Sequence, residues 1–123
     1  MSYVRHLTQT LLSLATHGDC VIVGRGAGHI LPHETTLRVR LVASWDDRIA
    51  AVSRRLGLTK EQAATWVADT DRQRETFVKD HFLKDPTDPH HYDLILNTST
   101  WSVGDCADFI LNGLRNLEIR QSP

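Results

Sequence analysis

Cysteine is scarce in this chain. Cys20 and Cys106 are the two present, and both sit in apolar patterns. Two such thiols build no disulfide framework, and no Cys/His spacing suits zinc. Buried free thiols in a reducing cytoplasm are expected, and no metal site is assigned. Long apolar runs are missing too. Nothing approaches the roughly 20 residues that a membrane helix needs, and Met1-Ser-Tyr-Val-Arg-His6 has no apolar core of a signal peptide. A cytoplasmic protein with no membrane partner is the expectation. Charge of one sign is lacking: the formal net charge is −1 at pH 7, so no global field draws the chain to nucleic acid. The seven histidines move that balance as pH falls below about 6.5. Repeats, low-complexity tracts and interdomain linkers are absent. Residues 1–123 therefore read as a single domain, long enough to bury roughly two-thirds of the surface its unfolded chain exposes.

What the sequence does have is concentrated in Gly18-Asp-Cys-Val-Ile-Val-Gly-Arg-Gly-Ala-Gly28. It reads as a short apolar strand ending in a glycine-rich turn with one arginine. Glycines let the backbone turn and let a ligand come close, and Arg25 can offer a planar fork to a phosphate. Gly24-x-Gly26-x-Gly28 imitates the start of a dinucleotide fingerprint. That motif needs a helix leading to the next strand, across about 10–12 residues or more. Pro32 falls eight residues after Gly24 and interrupts any such helix.

The whole chain reads α-β-β-α-α-β-α. Val4, Leu7, Leu11, Leu14 and Ala15 share one face of a helix over residues 3–17, closed by Gly18. Residues 20–24, 37–43 and 92–97 read as strands. Ser44-Trp-Asp-Asp47 and Thr59-Lys-Glu-Gln62 read as capping boxes opening two helices, the first closed by Gly57 and the second running to about Leu83. Asp85-Pro86 and Asp88-Pro89 mark a loop, with His90-His91 as a solvated pair. Ser102 caps a last helix that turns Val103, Cys106, Ala107, Ile110 and Leu114 inward and frays from about Ile119. Apolar strands alternating with helices imply an α/β layer, a parallel sheet of about three strands flanked by helices. Ligands in such sheets bind at the carboxyl ends of strands. Gly24–Gly28, Ser44–Arg48 and Thr98–Thr100 all lie there, and the convergence favours an anionic ligand.

Gly18–Ala27, Ile30-Leu-Pro32, Leu37–Ala43, Asp71-Arg-Gln-Arg74, Asp88-Pro89 and Tyr92–Ser99 occur in this order. Together they resemble the cytidylate-kinase-like family of nucleoside monophosphate kinases, from about residue 3 to about residue 117. The resemblance implies a partial P-loop kinase fold with a helical lid over about residues 45–84. It implies an acceptor nucleotide, of cytidylate type, bound by Gly24, Arg25, Gly26, Asp71 and Arg74. Arg48 and Arg55 would approach the donor phosphates, and complete relatives would use ATP and Mg2+. Catalytic residues are not assigned. The chain departs from that pattern in having no Gly-x-x-x-x-Gly-Lys-Ser/Thr; Lys60, Lys79 and Lys84 follow no glycine loop. The first strand and its loop are the parts lacking, and Ala51 stands where relatives often carry a lid arginine.

In such kinases the first strand lies between the third and fourth. Without it, residues 20–24 and 37–43 must pair directly, recruit another copy, or join a missing kinase portion. A homo-oligomer is expected. Plainer roles stand beside the site assignments. Arg25 can pair locally, and Asp71 and Arg74 at i and i+3 can form an ion pair of a few tenths of a kcal/mol. Arg54-Arg55 suit the last turn of a helix and Asp46-Asp47 the first. Trp45, Trp66 and Trp101 suit packing. Two functions remain: the nucleotide-binding part of a kinase that moves phosphoryl from ATP to a nucleoside monophosphate, inactive as this chain alone, or a non-catalytic nucleotide- or phosphate-binding or assembly domain.

Overall fold

A computed structural model of the chain describes residue 9, residues 21–23 and residues 26–121. Cys20, Gly24, Arg25 and, apart from Gln9, the helix expected over residues 3–17 lie outside the described residues.

Two strands pair in parallel. β1 is Val39–Val42 and β2 is Leu94–Asn97, with Val39 opposite Leu94 and Val42 opposite Asn97. Both are rich in the branched apolar residues that suit a pleated surface. The ladder is extended at its start by Arg38, whose carbonyl accepts from the Asp93 and Leu94 amides at 2.8 and 3.1 Å. At its far end the Thr98 amide donates to the Val42 carbonyl at 2.8 Å. Residues 21–23 do not join this sheet, contrary to the expected strand over 20–24. Val21 and Val23 are 91% and 88% exposed; Ile22 packs against Ala27 and Leu31 instead. An apolar run becomes a strand only where its backbone groups meet a neighbour, and neither described strand offers 21–23 one. The described sheet has two strands rather than about three.

α1, Trp45–Leu56, begins where the Ser44 hydroxyl accepts the Asp47 amide at 3.2 Å. The reciprocal half of the expected capping box is not made: the Ser44 amide donates to Ser99 Oγ at 2.8 Å. Gly57 ends the helix at φ 65°. α2, Lys60–Phe82, opens with the complete capping box of Thr59 and Gln62. It closes on Leu83 at φ 53°, a conformation that costs a side-chain-bearing residue about 1–2 kcal/mol. α1 and α2 form a hairpin with a core of its own: Ile49, Val52, Ala63 and Val67, flanked by Leu58 and Ala64.

α3, Val103–Gln121, is capped reciprocally by Ser102 and Asp105. It reaches past the expected fraying point at Ile119, and the Gln121 side chain donates through Nε2 to the Glu34 carbonyl. The inward stripe is Cys106, Ile110, Gly113 and Leu117. Ile110 and Cys106 were expected there; Val103, Ala107 and Leu114 are exposed instead. Gly113 explains the rotation. A Cβ there would sit 3.1 Å from Leu37 Cδ2 and 3.3 Å from Leu94 Cδ1. The bare backbone is the face that fits closest to the sheet.

Candidate functional site

Because β1 and β2 are parallel, their carboxyl ends open on one edge. The chain there is tied down by short polar side chains. Thr98 Oγ1 donates to the Val42 carbonyl at 3.2 Å, and Asn97 Oδ1 accepts the Ser99 amide at 3.0 Å. Ser99 in turn accepts the Ser44 amide. Hydrogen bonds from Ser99, and then from Ser44, hold the Asp47 carboxyl below the usual carboxylate range. The start of α1 is thereby fixed to the turn after β2. Asp47 is engaged within the protein at this helix start, where a negative charge is favourable.

Arg48 lies one turn into α1. Its Nη2 donates to Asp71 Oδ1 of α2 at 2.5 Å, with side chains 35% and 33% exposed. The resemblance put these two residues on opposite sides of a nucleotide site; the structure brings them into contact. The alternative local pair of Asp71 with Arg74 is not made among the described residues. Arg74 is exposed, and the ion pair on this stretch is Arg72 with Asp69 at 3.4 Å. Arg55 spreads over the Trp66 ring, 5.9 Å from its centroid, and so links the two helices from another side. Trp66 does pack, as expected, but against a cation and still 37% exposed.

Gly26 lies at φ 69°, and a Cβ on it would come within 2.5 Å of Phe82 Cε2. The turn therefore receives the end of α2 directly. His29, two residues beyond a buried Ala27, stacks on Phe82 with centroids 5.8 Å apart and meets His91 edge-on at 5.1 Å. Phe77 extends the cluster to Phe82 at 6.0 Å and His81 at 4.6 Å. The His90-His91 pair is thus half solvated: the His90 side chain is 91% exposed, but that of His91 only 22%. Nothing in the sequence pattern distinguishes His91 from His90, since the 3-10 turn Pro89–His91 decides which ring turns inward.

A second polar group was also missed. Asp93 accepts the Arg38 amide at 2.7 Å and grips its guanidinium at 3.0 Å, with Arg38 12% exposed. Burial pushes the Asp93 carboxyl up, but the hydrogen bonds and charge of Arg38 outweigh it and hold the group low. Arg40 donates to the Pro86 carbonyl at 2.9 Å beneath Tyr92, whose hydroxyl donates to the same carbonyl at 2.6 Å. Two arginines in an otherwise apolar strand were the available signal, because buried charges need partners. Among the described residues no group of three or more His, Cys, Asp or Glu is placed to hold a metal ion. No described helix is long and apolar enough to cross a membrane.

Known proteins are similar to this chain in sequence. The cytidylate kinase of Methanopyrus kandleri is 28% identical over 118 residues, covering 89% of this chain and 61% of that enzyme. The cytidylate kinase of Pyrococcus horikoshii is 32% identical over 98 residues, 80% of this chain and 50% of that enzyme. The uronate isomerase of Corynebacterium glutamicum is 26% identical over 107 residues, but these are 21% of its length. The chain thus spans about half to three-fifths of the two kinases. A model of the cytidylate kinase-like family matches residues 1–100, which include the glycine turn, both strands and the α1–α2 hairpin: the chain belongs to that family.

Proposed function

We propose that residues 1–123 are a single domain, the nucleotide-binding part of a cytidylate-kinase-like phosphotransferase. It binds a nucleoside monophosphate, of cytidylate type, at the carboxyl edge of the sheet. The acceptor side comprises Gly24, Arg25, Gly26, Asp71 and Arg74. Arg48 and Arg55 serve donor phosphates, with ATP and Mg2+ used by the complete enzyme in the cytoplasm. The α1–α2 hairpin, within about residues 45–84, is the lid. The observation that carries this reading is the Arg48–Asp71 contact. It sits on a hairpin with its own core, next to the edge where parallel strands end, and it is exposed enough for an incoming phosphate to share the guanidinium.

Residues 1–123 contain no Gly-x-x-x-x-Gly-Lys-Ser/Thr, so the donor phosphates lack their cradle within them. No steady turnover of ATP with cytidine monophosphate is expected from the pure chain; magnesium-dependent turnover near 1 per second, in the range of ordinary enzymes, overturns that part. Binding is expected at a Kd of about 0.1–1 mM, or about 4–5.5 kcal/mol. Amide shifts on titration with cytidine monophosphate test it, with Arg25→Ala reducing the response at Gly26–Leu31. No response at millimolar nucleotide, or an equal response in Arg25→Ala, overturns the acceptor site.

The exposure of Leu41 (59%), Val103 (90%) and Leu111 (50%) favours a second reading, an assembly domain derived from a kinase. A homo-oligomer is proposed on the same ground. Sedimentation at micromolar concentration tests it, and a clean monomer overturns it.

A further inference from the structure

We propose that His29 is a pH-sensitive latch between the Gly26–Leu31 turn and the C-terminal end of α2. In its neutral form it stacks on Phe82 and holds the helix end against the turn. Protonated, it releases that end.

The contact joins three separate stretches of chain. Phe82 covers Gly26 from α2, His29 lies against Phe82 from the turn, and His91 closes on His29 from the Pro89–His91 turn. The ionisable groups that bear most on the imidazole all disfavour its proton. Lys84 acts from the chain after α2, His91 from the Pro89–His91 turn, His33 from the next turn and Arg38 from the entry to β1. Two carboxylates that touch these neighbours are already engaged. Asp93 holds Arg38, and Asp88 holds His90 at 2.8 Å and lies 3.8 Å from His91. Arg38 also reaches His33 Nε2 at 3.1 Å. A proton arriving on His29 therefore meets partial burial and, as the main electrostatic influences among the described residues, His91, Lys84, Arg38 and His33. Burial first, then His91, Lys84, Arg38 and His33, hold the group below its ordinary value of 6.5.

The sign follows from linkage. A histidine lowered in the folded state contributes stability that is fully present above about 6.5, its unfolded value, and is lost as pH falls through the folded value. The hairpin core of Ile49, Val52, Ala63 and Val67 contains no titratable group and so serves as an internal reference, whereas His81, edge-on to Phe77, belongs to the same ring cluster as His29.

Amide spectra of the ligand-free chain, taken from about pH 7.5 to about pH 5, test the latch. Resonances of residues 26–31 and 77–83 are expected to move together in one transition with its midpoint below the ordinary histidine value, with faster amide exchange in both stretches. Residues 49–52 and 63–67 are expected to stay still. His29→Phe keeps a ring on Phe82 and removes the proton site, so the transition should vanish. His91→Asn removes one of the groups that lower His29, so the midpoint should rise. The proposal is overturned by a flat wild-type profile, by a transition unchanged in His29→Phe, or by one that the hairpin core shares. No nucleotide enters the experiment, so a chain that latches but ignores cytidine monophosphate defeats the nucleotide reading alone.

Discussion

Gly26→Ala is expected to be the most damaging single methyl added at any of the glycines whose surroundings the structure describes. Two separate costs meet there. The backbone lies at φ 69°, where a β-carbon costs about 1–2 kcal/mol. The new Cβ would also stand 2.5 Å from Phe82 Cε2 and 3.1 Å from Cδ2, so the ring or the turn must move. Overpacking of this kind costs typically about 1–3 kcal/mol. Together they reach about 2–5 kcal/mol, a large part of the roughly 5–15 kcal/mol that holds an ordinary domain folded. Gly57 separates the two costs. Its φ of 65° is nearly the same, but nothing lies within 4 Å of its virtual Cβ. Gly57→Ala should therefore pay the backbone cost alone, about 1–2 kcal/mol. Urea unfolding gives both values. In a Phe82→Ala background the clash has no partner, and Gly26→Ala should fall to the cost of Gly57→Ala. If Gly26→Ala costs no more than Gly57→Ala in the wild-type background, Phe82 does not press on the turn and the reasoning fails. A cost that persists undiminished in the Phe82→Ala background refutes it equally.

Two further outcomes follow from the ion pairs. Arg48 and Asp71 are each about a third exposed, so solvent screens them, and a double-mutant cycle of Arg48→Ala with Asp71→Asn should give a coupling of only about 0.2–1 kcal/mol; a coupling of zero would mean that the pair does not bridge α1 to α2 in solution. Asp93→Asn leaves the mostly covered Arg38 without its carboxylate and should cost about 1.5–3 kcal/mol, the range for hydrogen bonds to charged groups. Because Asp93 is held low by Arg38 after burial is overcome, its contribution is present above about 3.8 and lost as pH falls through the lowered folded value. Calorimetry should show this part of the acid destabilisation missing in Asp93→Asn, and an unchanged acid limb would remove the assignment.

Local chemistry was legible in the sequence where it closed on itself. Thr59 and Gln62 satisfy each other within four residues, and so do Ser102 and Asp105. Gly57 ends α1 wherever that helix lies, because only its own φ matters. Ser44 shows the limit. Its hydroxyl does what the local pattern says, while its amide is taken by Ser99, 55 residues away. No spacing rule could find that donor's partner, because it exists only once β1 and β2 have paired. α3 repeats the lesson for packing. Its sequence offers an apolar stripe wide enough for several rotations, and Gly113 against Leu37 and Leu94 selects one that leaves Val103 outside.

The same division runs through the candidate site. Arg48 and Asp71 could be singled out one by one, from an arginine one turn into a helix and from an Asp-x-x-Arg run, but not as a pair. Their contact at 2.5 Å depends on how far α2 runs back along α1 from the Gly57–Thr59 connection. Behind that contact the small Ala63 is fully buried in one core with Ile49, Val52 and Val67. A larger residue at 63 would push the helices apart, and the charges on their far turns would separate with them. The identities of the charged groups are thus written locally, whereas their distance is written in the packing of the apolar face behind them. Arg38 and Arg40 make the same point from within the sheet. Each looks like a misplaced charge in an apolar strand until β2 and the Pro86–Tyr92 loop bring up Asp93 and the Pro86 carbonyl. A charge in an apolar run is therefore a statement that a partner exists, and only the fold says which.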